Sequence, residues 1–96
     1  MTYQELCSAV TTLGLGELAS LGEIKRRHRQ LVKLHHPDTG SAESPEKIRE
    51  INAAYRTLLD YLAEYRFSFG EKDFYEQCPE ERLRQQFADD PLWGDR

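Results

Sequence analysis

Residues 34–40, with the sequence LHHPDTG, separate the two longest helical patterns of the chain. Proline disfavours the helical conformation of the residue before it, so Pro37 predicts that a helix ends near His36. The chain must then turn. His36, Pro37 and Asp38 are therefore expected to form a polar triplet that is displayed between two helices.

The helix predicted before this turn, over residues 21–35, has two contrasting faces. Ser20 followed three residues later by Glu23 is a capping-box pattern, which indicates where the helix begins. At 100° per residue, apolar and histidine side chains gather on one face, namely Ile24, His28, Leu31 and His35, flanked by Val32 and Leu34. The opposite face carries four cations, which are Lys25, Arg26, Arg29 and Lys33.

The longest helix is predicted after the turn, over residues 45–65, antiparallel to the preceding one. Ser44 suits the cap position and Pro45 the first helical position. A continuous apolar stripe follows, made of Ile48, Ile51, Tyr55, Leu58, Leu59 and Leu62.

Two further helices are predicted at the ends of the chain. The first runs from Tyr3 to a stop at Gly14 and is expected to pack through Tyr3, Leu6 and Val10. A shorter helix is predicted over residues 79–88. No strand pattern or internal repeat is visible, so the sequence predicts an all-α fold.

Length and charge narrow the classes of function. At 96 residues one domain is expected. The net charge of −4 disfavours a general nucleic-acid binder, and residues 71–96 account for all of it with eight acidic and four basic side chains. The N-terminal residues show no basic or long apolar run, which favours a cytoplasmic protein without a membrane span. Cys7 and Cys78 have no paired spacing and are expected to be buried or idle thiols and not a disulfide.

The triplet and its two flanking helices together resemble the J-domain of DnaJ-type co-chaperones. The resemblance covers about half of the chain without obvious gaps and includes Leu13-Gly14-Leu15, Ala19-Ser20, Glu23-Ile24-Lys25, His36-Pro37-Asp38 and Ile51-Asn52-Ala53-Ala54-Tyr55-Arg56-Thr57-Leu58. It implies an antiparallel helical hairpin that is braced by the N-terminal helix. Residues 1–66 would form the J-domain, and residues 67–96 an acidic and aromatic extension packed on it.

The resemblance also implies a function. J-domain proteins are not enzymes and need no cofactor; they stimulate ATP hydrolysis by a DnaK-type chaperone of the heat-shock 70 kDa class. In the family, the positive face of the second helix meets an acidic surface on the chaperone's nucleotide-binding domain, and the triplet contacts the junction of that domain with the linker. Two groups of residues carry over. Lys25, Arg26, Arg29 and Lys33 would hold the partner, and His36, Pro37 and Asp38 would trigger hydrolysis.

The sequence departs from the family pattern at several positions. J-domains usually carry aromatic residues where this chain has His28 and His35, and an aromatic pair where it has Ala9 and Val10. We expect His28 and His35 to be half-buried packing residues and not ligands or pH sensors. The usual short fourth helix is not recognisable, and neither a glycine/phenylalanine-rich linker nor a cysteine-rich zinc module follows.

Other interpretations remain for the same residues. The four cations could be an ordinary solvated helix face, and the triplet an ordinary turn. The fold could serve as a J-like scaffold or assembly module without ATPase stimulation. A small basic-helix nucleic-acid binder is disfavoured by the acidic net charge. No ligand spacing of the usual zinc type accompanies His35, His36 and Asp38, and no serine or cysteine is placed as an activated nucleophile, so neither a metal site nor a catalytic site is predicted.

The C-terminal extension is too apolar for a typical disordered acidic tail. Its seven large apolar residues are Phe67, Phe69, Phe74, Tyr75, Phe87, Leu92 and Trp93. We expect them to fold back onto the three helices and enlarge the core. The alternative is that Phe87, Leu92 and Trp93 form an exposed contact for a client or partner whose identity the sequence does not give.

Overall fold

The computed structural model describes residues 1–35 and 45–89, and these ranges contain five helices and no strand. The helices are α1 (Tyr3–Leu13), α2 (Leu21–His35), α3 (Pro45–Ala63), α4 (Glu71–Gln77) and α5 (Pro79–Asp89). The all-α prediction is confirmed. None of the helices in the described ranges is long and apolar enough to cross a membrane.

Helix α1 is closed at both ends by local hydrogen bonds. Thr2 and Glu5 form a capping box that the sequence analysis missed: the Glu5 N–H donates to Thr2 Oγ1 at 3.1 Å, and the Thr2 N–H donates to Glu5 Oε1 at 2.7 Å. At the other end Gly14 has a φ of 68°, in the left-handed region that favours glycine. The predicted stop at Gly14 is confirmed.

The start of α2 and the start of α3 also follow the prediction. The Glu23 N–H donates to Ser20 Oγ at 3.1 Å, and the Ser20 N–H donates to Glu23 Oε1 at 2.7 Å, which confirms the second capping box. Helix α3 begins at Pro45, while its predicted cap Ser44 lies outside the described residues. It ends at Ala63, two residues before the predicted end.

One core joins the first three helices. Seven side chains are buried there: Ala9, Leu13, Ile24, Leu31, Ile51, Ala54 and Leu58. Helix α3 is the central element because it packs against both other helices, more extensively against α1 than against its antiparallel neighbour α2. The core therefore holds α2 by one face only.

Two predicted packing positions are wrong. Tyr3 is 78% exposed, since α1 packs instead through Ala9 and Leu13, with Leu6 and Val10 at the edge. The small Ala9 lets α1 approach α3 closely. Leu34 is exposed because it falls outside the face that carries Ile24 and Leu31.

The chain divides into two compact units, and the second begins at Arg66. Its helix α4 was not predicted, since seven residues are too few to show an apolar period. Pro79 explains where α4 stops: Cys78, just before it, has φ −128° and ψ 73°, outside the helical region. No residue of α4 is buried. Helix α5, predicted over 79–88, is confirmed with one residue more.

Candidate functional site

The four predicted cations of α2 all lie in solvent. Lys25, Arg26, Arg29 and Lys33 are exposed, whereas Ile24 and Leu31 of the same helix are buried. Among the residues that the structure describes, none of the four takes part in an ion pair. Four positive charges without an ion pair in the described part of the chain therefore lie along about two turns of one helix, which makes an electrostatic surface that favours acidic partners.

A fifth basic residue of α2, Arg27, has a different environment. Its Nε donates to the carbonyl oxygen of Leu13 at 2.9 Å in a half-buried position, and its Nη1 donates to Gln30 Oε1 at 3.3 Å. Arg27 thereby ties α2 to the C-terminal end of α1. The sequence analysis missed this role, although the position of Arg27 beside the buried face of α2 was a usable signal.

His28 links α2 to α3. Its ring stacks on the ring of Tyr55, with centroids 3.9 Å apart and planes 5° from parallel. Its Nε2 lies 2.8 Å from Asn52 Oδ1, and since an amide oxygen only accepts, Nε2 donates the hydrogen. The prediction that His28 is a half-buried packing residue is confirmed, while its partner Asn52 was not foreseen.

The triplet comes next in the chain. His35, which is half-buried, is the last residue of α2, and His36 is the next residue in the sequence. His36, Pro37 and Asp38 themselves lie outside the described residues. The structure thus places the four cations, and the roles of all seven residues stay predictions.

The predicted tail contact is described in part. Phe87 is 53% exposed on α5, and Leu83 is 55% exposed one turn before it on the same face. Leu92 and Trp93 lie outside the described residues. Cys7 is exposed and Cys78 half-buried, and both are free thiols.

A separate groove lies between α1 and α3, with a volume of about 980 Å³. Its wall on α3 includes Lys47, Glu50, Thr57 and Asp60, and no histidine or cysteine is among its described lining residues. Within residues 1–35 and 45–89, no three histidine, cysteine, aspartate or glutamate side chains come together in a way that could hold a metal ion. The groove is on the flank of α3 that faces α1, away from His28.

Comparison with known proteins gives matches to one family. The DnaJ domain model matches residues 10–65. The chaperone protein DnaJ of Clostridium novyi is 42% identical over 65 residues, which cover 65% of this chain and 17% of that protein. The DnaJ of Clostridium beijerinckii is 52% identical over 50 residues, and that of Rickettsia typhi 47% over 49, each covering 50% of this chain and 13% of the relative.

The matches are confined to a small part of each relative. The chain spans less than a fifth of the length of these curated proteins. No solved structure matches the chain with statistical significance. The family match covers α2 and α3 completely and the last four residues of α1, so it includes the cationic face, His28 with its partners on α3, and the triplet. On that match, which extends over more than half of its length, the chain belongs to the DnaJ domain family.

Proposed function

We propose that this protein is a co-chaperone that stimulates ATP hydrolysis by a DnaK-type chaperone of the heat-shock 70 kDa class. The single observation that carries the proposal is the position of the cationic face in a member of the DnaJ domain family. Four exposed cations without ion pairs among the described residues lie on the helix that leads directly into His36, Pro37 and Asp38. The chain itself is proposed to have no enzymatic activity.

The cations are proposed to hold the partner. Exposed ion pairs contribute only about 0.2 to 1 kcal/mol each and are screened by salt. Four such pairs, from Lys25, Arg26, Arg29 and Lys33, suit a contact that forms fast and dissociates quickly, because long-range attraction raises association rates more than affinity. A co-chaperone that acts on its partner in successive cycles needs this kind of contact.

The triplet is proposed to act on the chaperone's conformation. The carboxylate of Asp38 can accept a charge-assisted hydrogen bond from an arginine, and such a bond is directional. A ligand shifts a conformational equilibrium only when it binds one state better than the other. The directional bond of Asp38 supplies that difference, whereas the diffuse charge of α2 acts on both states.

The test is single-turnover ATP hydrolysis by a purified DnaK-type chaperone, measured alone, with the wild-type protein and with Asp38→Asn. We expect the wild type to accelerate hydrolysis and the variant, which keeps the shape of the side chain and loses its charge, to have no effect. If the wild type fails to accelerate hydrolysis by the chaperones of its own organism, the co-chaperone function is wrong. The J-like scaffold would then account for the retained fold.

A client contact is proposed for the C-terminal unit. Leu83 and Phe87 present apolar surface on α5, and Leu92 and Trp93 follow in the sequence. Apolar side chains that are surrounded by acidic ones suit an unfolded segment with apolar and basic residues. The replacement of Phe87 by serine is expected to weaken binding of such a segment without altering ATPase stimulation in the absence of client.

A further inference from the structure

The stacking of His28 on Tyr55 determines how α2 and α3 are aligned along their length. His28 contacts both Asn52 and Tyr55, so it lies level with the turn of α3 that these two residues span. Because the helices are antiparallel, a step toward the start of α2 corresponds to an equal step toward the end of α3. Lys25 is therefore level with Arg56, Arg29 with Asn52, and Lys33 with Arg49.

The same contact determines which side of α3 faces this part of α2. Each residue advances about 100° around its helix. Arg29 is the residue after His28, and Arg56 is the residue after Tyr55. Each arginine is therefore rotated by the same angle, about 100°, from the stacked ring before it, in the direction away from the core. Since α2 and α3 run in opposite directions, these rotations bring the two arginines to the same outer side of the helix pair. Arg49 shares the face of Arg56, two turns earlier.

The residues at this outer side form a groove with two cationic walls. We call it the α2–α3 groove and define it by Lys25, Arg29 and Lys33 on one wall and Arg49 and Arg56 on the other. All five are exposed, and in the described part of the chain none of them forms an ion pair. Val32 is half-buried and exposed Asn52 lies level with Arg29, so none of the described residues between the walls carries a negative charge.

Of the acidic residues of α3, Glu50 lines the separate groove between α1 and α3. Asp60, which also borders that groove, is four residues after Arg56 and therefore shares the face of α3 that carries Arg56 and Arg49. Glu23 of α2 is engaged by Ser20 at the start of its helix. The cations of the α2–α3 groove therefore outnumber the Asp60 carboxylate beside them, and this excess of positive charge favours an acidic partner.

We propose that the α2–α3 groove, and not α2 alone, is the surface that binds the chaperone, with Arg49 and Arg56 as its second wall and an extended acidic segment of the chaperone as its occupant. This inference rests on the proposed function. Lys25, Arg29 and Lys33 recur every four residues, which is about 6 Å along a helix. Alternate side chains of an extended strand are about 6.6 Å apart, so successive carboxylates on one edge can each meet a cation. The net charge of −4 disfavours a nucleic acid in the same place.

The test uses charge reversal on the two flanks of one helix. Arg56→Glu and Arg49→Glu change the second wall, and Lys47→Glu makes the same kind of change on the flank of α3 that faces α1. All three side chains are exposed, so circular dichroism and thermal unfolding should show a retained fold. The readout is the concentration of each variant that gives half-maximal acceleration of single-turnover ATP hydrolysis by the DnaK-type chaperone.

We expect Arg49→Glu and Arg56→Glu each to raise the concentration for half-maximal acceleration about five-fold at low salt. Each substitution removes an ion pair with the chaperone that is worth up to about 1 kcal/mol. Lys47→Glu should change it less than two-fold. The difference between the second-wall variants and Lys47→Glu should shrink toward 1 M salt, where the Debye length falls to about 3 Å. The maximal rate should stay at the wild-type value because Asp38 is untouched.

Three outcomes would overturn the proposal. If the wild type stimulates hydrolysis and both arginine reversals match Lys47→Glu, the second wall is wrong while the proposed function stands. If the wild type does not stimulate hydrolysis, the proposed function and the occupant of the groove are both wrong. If the reversals instead abolish salt-dependent binding of a labelled 20-base-pair DNA duplex and leave stimulation unchanged, the groove is a nucleic-acid surface.

Discussion

Arg27 stabilises the fold, whereas the cations next to it in the sequence are free to meet a partner. Its Nε donates to the carbonyl oxygen of Leu13, a residue that is completely buried at the end of α1. A charged donor makes a stronger hydrogen bond to a carbonyl than a neutral donor does. Gly14 is part of the same contact, because a Cβ atom at that position would lie 3.1 Å from Arg27 Nη2. A side chain at position 14 would therefore crowd the guanidinium group of Arg27.

The replacement of Arg27 by alanine should lower the free energy of unfolding by about 1 to 2 kcal/mol. The carbonyl of Leu13 would lose its hydrogen bond in a half-buried place. Urea denaturation followed by circular dichroism measures the effect, and Arg26→Ala is the matched control, expected to change stability by less than about 0.5 kcal/mol. Equal effects of the two substitutions would show that the bond to Leu13 does not stabilise the fold.

At the scale of single elements, each of the first two helices starts with its own capping box. The pair Thr2 and Glu5 and the pair Ser20 and Glu23 each provide hydrogen-bond acceptors for two backbone N–H groups at a helix start. A start held in this way needs no tertiary contact. Helix α2 is consequently able to expose most of its surface, including the cations, and still begin at a defined residue.

Glu23 makes the stability of the α2 start depend on pH. Hydrogen bonds from the backbone and side chain of Ser20 hold the pKa of Glu23 below its ordinary value. A lowered pKa in the folded state means that stabilisation is present above the ordinary glutamate pKa and is lost as pH falls through the lowered one. Acid should therefore weaken the capping box.

The variant Glu23→Gln isolates this effect, because glutamine retains the hydrogen bonds of a capping box and does not titrate. The difference in urea midpoint between wild type and variant should favour the wild type at neutral pH. It should decrease as pH is lowered below the ordinary range of glutamate titration. A difference that is independent of pH would show that the charge of Glu23 makes no contribution.

For the molecule as a whole, the buried core of the described residues lies in the first compact unit. The seven buried side chains in the described part of the chain all lie between Ala9 and Leu58, within Met1–Tyr65. In the second unit, α4 and α5 have seven and eleven residues, and isolated helices shorter than about 12 to 15 residues are marginal in water. The packing of residues 67–96 on the J-domain stays a prediction.

A fragment of residues 1–65 should therefore fold on its own and unfold cooperatively on heating. A peptide of residues 66–96 should show much less helix by circular dichroism than its share of the intact protein. The loss of unfolding free energy between the full chain and the fragment measures how much the extension stabilises the J-domain. A fragment without a cooperative transition would contradict the assignment of the core to the first unit.

Local sequence signals are sufficient to predict the helices of the hairpin and the family of the chain. Proline, glycine and capping residues act within four positions along the chain, so Pro45, Gly14 and the pair Ser20 and Glu23 could be interpreted without a fold. Apolar periodicity likewise predicted the buried side of α2 and α3. It failed at Tyr3 and Leu34, where period alone does not show whether a neighbouring helix reaches the residue.

The contacts between residues of different helices could not be predicted from the sequence, because they depend on how the helices pack. Arg27 contacts Leu13 over 14 positions and His28 contacts Asn52 over 24, and such pairings depend on how the helices pack. Among five consecutive residues of α2, packing turned Arg27 toward α1 and His28 toward α3 and left Lys25, Arg26 and Arg29 in solvent. The alignment that we propose for Arg49 and Arg56 beside these cations likewise rests on the contacts of His28, because the period of a helix gives the faces of one element and not their partners.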